Sequence, residues 1–134
     1  MFKLDARLRN DTFPVGDLPL CSVLLMNDAQ FPWVILVPRR AEVYDLIDLS
    51  DEDRRVFQQE SDQLSQVLRK LFSPHKLNVA ALGNVVAQLH VHHIARFTDD
   101  CAWPHPVWGR QPAQAYTQSQ ADKHLAALKA ALEL

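Results

Sequence analysis

LNVAALGNVVAQLHVHHIARF, residues 77–97, places two apolar runs on either side of Gly83-Asn84. Runs of this length, rich in aliphatic residues and interrupted by residues that tolerate positive φ, predict two strands, 77–82 and 88–96, joined in a hairpin. On the second strand alternate side chains share a face, so Gln88, His90 and His92 project together while Leu89, Val91 and His93 point the other way. Two imidazoles and an amide then form a row.

The same sheet signal recurs upstream. Leu20-Cys21-Ser22-Val23-Leu24-Leu25-Met26 ends at the turn residues Asn27-Asp28, and Trp33-Val34-Ile35-Leu36-Val37 runs into Pro38. These predict a second antiparallel pair, its second member largely buried. At Ser50 the period changes. Ser50 with Asp53 reads as a helix start, Phe57, Leu64, Leu68 and Leu71 form one stripe, and Ser73-Pro74 ends the helix after about five or six turns. Leu125, Leu128 and Leu132 mark a last amphipathic helix over about 119–132. Strand pair, helix, strand pair and helix predict an α+β domain with an antiparallel sheet.

Nothing in the composition divides the chain. Its 134 residues fit one domain, 1–134, able to bury about two thirds of its unfolded surface. Neither repeats nor low-complexity linkers interrupt it, and the eight prolines mark joints between elements. Fourteen basic against sixteen acidic residues leave a formal charge of −2, which argues against bulk nucleic acid as a partner. Arg39-Arg40 and Arg54-Arg55 read as solvated charges, and Trp103 and Trp108 as packing anchors in a proline-rich loop. Cys21 and Cys101 are the only cysteines, which suits buried thiols in a reduced, cytoplasmic protein. The opening MFKLDARLRND is too charged for a signal peptide, and no run is long enough for a membrane span.

Three chemistries suit His90 and His92. Both rings can be hydrogen-bonded polar residues of a half-exposed sheet face. The i,i+2 spacing can also direct two ring nitrogens at a metal, with a third ligand to come from His75, His105 or His124. Finally, a neutral imidazole can attack phosphorus directly. The upstream residues favour an anion site. Gly83-Asn84 can present backbone N–H groups, Asn78 adds an amide, and the pattern Asn-x4-Gly-x4-Gln-x-His-x-His-x3-Arg closes on the basic Arg96.

The 77–97 stretch resembles the signature of the histidine triad (HIT) proteins, nucleotide hydrolases and transferases whose motif alternates His with apolar residues. VLLMNDAQFPWVILVPRR (23–40) and WPHPVWG (103–109) extend the likeness, which spans about 19–109. It implies a sheet of about five strands, one long helix and a C-terminal helix over about 117–133. By position His90 matches the nucleophile, which forms a nucleotidyl-imidazole at the α-phosphate of a small-molecule nucleotide, and His92 matches the ring that hydrogen-bonds that phosphate. Asn78, Gly83 and Asn84 fall in the phosphate loop, and Asp28 matches an acidic residue that contacts the ribose. Leu25, Phe31 and Trp33 would line the nucleoside pocket, with Trp108 near it. The resemblance also implies a homodimer and calls for no cofactor or metal. Adenine is the expected base.

Two positions depart from the family pattern. Gln88 stands where the first His is usual, so an amide replaces a group able to protonate a leaving group, and a narrower range of leaving groups is expected. Val85 stands near where many members carry a phosphate-touching hydroxyl. His93, on the opposite face of the strand, is expected to pack in the interior or at an interface.

Overall fold

Trp33–Pro38 is buried at every residue, as expected of an aliphatic, β-branched run with a strand on each side. In the computed structural model, which describes residues 1–134, this strand is β3. It joins β1 (Thr12–Asp17), β2 (Cys21–Met26), β4 (Lys76–Ala80) and β5 (Val91–Arg96) in one antiparallel sheet of order β1-β2-β3-β5-β4. The predicted first pair forms, with Leu24 opposite Ile35. Three helices complete an α+β fold: α1 (Ala6–Asp11), α2 (Asp51–Phe72) and α3 (Gln118–Leu132). No helix is long and apolar enough to cross a membrane.

The long helix begins and ends where the sequence places it. Ser50 Oγ accepts from the Asp53 N–H, and Asp51, Glu52 and Asp53 set negative charge against the positive end of the helix dipole. Ser73 leaves the helix in the left-handed conformation, φ 49°, just before Pro74. Phe57, Leu64 and Leu68 of α2 pack with Leu128 and Leu132 of α3 on one face of the sheet, against Val23, Leu25, Val34, Leu36 and Val91. Each leucine buried there contributes about 1.5–3 kcal/mol. Glu60 ties helix to sheet: its carboxylate accepts from the Leu20 and Cys21 N–H groups, both at 2.8 Å. On the opposite face Ile35, Ile94, Trp33 and Phe31 pack with Leu8 of α1 and with Ala102 and Val107 of the loop that follows β5.

Two expectations are corrected, and two elements are added. The hairpin is not tight: β4 ends at Ala80 and β5 starts only at Val91, so Gln88 and His90 lie in the 81–90 loop. There the Leu89 N–H donates to Val43 O at 3.0 Å, pairing the chain with the connection after β3 in place of β4. Next, α1 and β1 carry no clear sequence signal. The helix is short, and β1 contains Pro14 and Gly16 with a register shift between them, residues that read against a strand except at a sheet edge. Last, both cysteines are free, Cys21 buried as expected but Cys101 exposed. Burial, with the nearby Glu60 carboxylate, pushes the Cys21 thiol pKa up.

Candidate active site

His90 and His92 form one wall of a pocket of about 350 Å³, closed by the 82–86 loop, by Met26 of β2, by Trp108 and by α1. Pairing with β3 at Ile35 aims His92 at the sheet face away from α2, the face that also carries Ile94. His90 stands at the end of the loop just before the strand. The two rings are 4.9 Å apart between centroids and nearly perpendicular, and they are 7% and 4% exposed.

Their protonation follows from their partners. A carbonyl can only accept, so the 2.7 Å contact between His90 Nδ1 and Gln88 O places a proton on Nδ1, and in the neutral ring the lone pair is on Nε2. An indole N–H can only donate. Trp33 Nε1 donates to His92 Nδ1 at 2.9 Å, so the neutral His92 ring carries its proton on Nε2. Burial, reinforced by the neighbouring His90 and His93, holds the His92 pKa down to about 3, so this ring is neutral at physiological pH. Side by side, then, stand an imidazole that offers a lone pair and one that offers an N–H. Trp108 packs edge-on against His92, with centroids 5.0 Å apart, and narrows the pocket.

The loop contributes as expected in part. Gly83 adopts φ +75°, a left-handed turn that favours glycine, and Gly83 and Asn84 both line the pocket. Asn78 does not line it. It lies on β4 opposite Ile94, and its Oδ1 accepts from Arg96 Nη1 at 2.8 Å. Arg96 itself is not an anion ligand. Its guanidinium makes a two-pronged ion pair with Asp100 (2.8 and 3.1 Å), donates to His105 O and is 1% exposed, so its charge is already neutralised. Burial works to raise the Asp100 pKa, but Arg96 and the N–H groups of Phe97, Ala102 and Trp103 hold it down to about 2.

Other expected residues sit as follows. Asp28 Oδ1 closes the turn after β2 by accepting from the Gln30 backbone and side chain, both at 3.0 Å, and the residue borders a smaller hollow beside Trp33 and Trp108. Leu25 points to the helix-covered face and Phe31 packs under Arg96, so neither lines the pocket. Trp33 acts through its hydrogen bond to His92. As expected, His93 is interior: wholly buried, it donates to Val91 O and accepts from Ser61 Oγ at 2.8 Å. The Gln88 amide does not line the pocket with the two rings. Its Oε1 accepts from the Asp5 N–H at 2.9 Å and its Nε2 donates to Lys3 O at 2.8 Å, so its amide clasps the N-terminal segment.

Four pocket residues, Arg7, Leu8, Asp11 and Thr12, come from that same segment. Sequence periodicity has no means of finding them, because only the tertiary fold lays α1 over the loop. The donor set does not suit a metal. His75 packs edge-on against Trp103, His124 lies between Phe72 and Tyr116, and nowhere do three His, Cys, Asp or Glu side chains converge as a metal site would require, so none of His75, His105 and His124 supplies a third ligand.

A family model described as the HIT domain matches residues 7–99. The chain is 49% identical to a histidine triad protein from Marinobacter aquaeolei VT8, with a TM-score of 0.97 over 99% of this chain and 97% of that one. It is 43% identical to a histidine triad protein from Bradyrhizobium japonicum, with a TM-score of 0.96 over 98% of each chain. A third such protein, from Sinorhizobium meliloti 1021, is 40% identical, with a TM-score of 0.94 over 96% of each chain. No curated protein matches the chain.

Proposed function

Because the chain belongs to the histidine triad (HIT) family of nucleotide-binding hydrolases and transferases, we propose that it cleaves nucleoside-phosphate-X compounds at the α-phosphate through His90. X is the second half of a dinucleoside polyphosphate or the amine of a phosphoramidate. The Nε2 lone pair of His90 attacks phosphorus, a P–N bond forms, and the P–X bond breaks with its electron pair going to X, which takes a proton from solvent. His92 donates its Nε2 proton in a hydrogen bond to a non-bridging oxygen while charge builds there. Water then attacks phosphorus and gives up a proton to solvent, the P–N bond breaks, and the nucleoside monophosphate leaves as the lone pair returns to His90.

The observation that carries this reading is the opposite tautomers of the two rings, each held by a partner that permits no other. A packing role for His90 requires no free nitrogen facing a pocket. The first strand pair supplies Met26, and the loop supplies Gly83 and Asn84, for the nucleoside and its phosphate. Asp28 is the candidate ribose contact, since its Oδ2 makes no hydrogen bond within the chain. A screen of dinucleoside polyphosphates and nucleoside phosphoramidates, read out as nucleoside monophosphate, tests the activity. Turnover with an acid-labile, base-stable label on His90 is expected. Nucleotide binding without any release would leave a binding protein in place of an enzyme.

The same reading makes the protein a homodimer. β4 is paired only with β5, and its other edge is free to meet a second copy. Sedimentation at the mass of two chains is expected, and a single-chain mass at micromolar concentration would overturn that assembly.

A further inference from the structure

We infer that the N-terminal segment supplies a phosphate ligand, Arg7, held in place by the Gln88 side chain, which departs from the family pattern, and by the backbone carbonyl of residue 85. This rests on the pocket being a nucleotide site. Arg7 is the only permanent cation among the pocket-lining residues, and it forms no ion pair. Its Nη1 donates to Val85 O at 3.3 Å, which brings the guanidinium onto the loop that carries Gly83. The Val85 side chain offers no donor there, and Arg7, resting on the backbone carbonyl, brings one. The remaining guanidinium N–H groups are free for an anion, and hydrogen bonds between charged partners are roughly twice as strong as neutral ones.

Arg7 is delivered by a short chain of contacts. Its backbone N–H donates to Asp5 Oδ1 at 2.8 Å, and the Asp5 N–H donates in turn to Gln88 Oε1. With the Lys3 carbonyl held by Gln88 Nε2, the segment is fastened at two adjoining points beside His90. Gln88 is therefore a positioning residue, acting on the substrate through Arg7. Asp11, one turn further along α1, is the only acid lining the same pocket, and a phosphate must approach on the Arg7 side of it.

The test separates phosphate recognition from pocket shape. Adenosine 5′-monophosphate and adenosine are titrated against the wild type, Arg7→Ala, Arg7→Lys, Gln88→Ala and the Arg7→Ala/Gln88→Ala double variant, following tryptophan fluorescence from Trp33 and Trp108. Arg7→Ala should weaken the monophosphate roughly 10- to 100-fold, the span of a charged hydrogen bond, and leave adenosine within about twofold. Arg7→Lys should recover part of the loss. Gln88→Ala should act in the same direction, and its effect should vanish in the Arg7→Ala background, since both act through one group. Equal weakening of both ligands, or an unchanged monophosphate affinity, overturns the assignment of Arg7 and leaves the proposed activity standing. Absence of binding to the wild type overturns both.

Discussion

Replacing His90 with alanine should reduce release of nucleoside monophosphate by on the order of 10⁴-fold or more, because no other group can form the P–N bond. The same variant should still bind nucleotide. His92 keeps its proton on Nε2 through Trp33, and the Gly83 loop, Met26 and Trp108 do not depend on the His90 ring for their placement. Loss of turnover with binding retained is therefore the signature of a nucleophile, whereas loss of both would mark a residue that builds the pocket. Rates measured under single-turnover conditions, alongside thermal melts of both proteins, decide between them. Equal rates for His90→Ala and the wild type would remove the mechanism altogether.

Stability should fall steeply on the acid side of neutrality. Burial depresses the His92 pKa to about 3 and, despite an opposing hydrogen bond to Val91 O, that of His93 to about 4. In the unfolded chain both return to about 6.5. The native state thus binds fewer protons than the unfolded state between these values, and the stabilisation present above pH 6.5 is lost as pH falls through 6 and 5. Each group contributes a slope of at most about 1.4 kcal/mol per pH unit, so the pair can remove roughly 5 kcal/mol by pH 4.5, comparable with the whole stability of a small domain. Asp100, held down to about 2, adds its loss only below the ordinary carboxylate range. Urea midpoints recorded from pH 7.5 to 4.5 should drop throughout that window. A flat profile would mean that the interior around His92 and His93 admits their charge freely.

His93 and His92 show how one strand serves two purposes. Neighbours in sequence, they fall on opposite faces, one bonded to Ser61 of α2 and the other turned into the pocket. That division is legible from a period of two. The stripe Phe57-Leu64-Leu68, the Ser50 cap and the strand pair around Asn27-Asp28 are equally legible, since each depends on contacts a few residues apart or on a burial pattern repeated along one element. The hydrogen bond from the His90 ring to a backbone carbonyl is also local, spanning only Gln88 to His90.

The sequence by itself determined the α+β class, the order of elements from β2 onward, the opposite faces of His92 and His93 and the candidacy of His90, because periodicity and turn chemistry are short-range properties written into neighbouring residues. Tertiary structure alone decided that Arg96 would be consumed by Asp100 and Asn78, that Trp33 would set the proton on His92, and that Gln88 would grip residues 3–5 and bring Arg7 to the loop. Each of those outcomes depends on which donor meets which acceptor after distant segments pack together. A buried polar group must find a partner, and the identity of that partner is set by the fold as a whole.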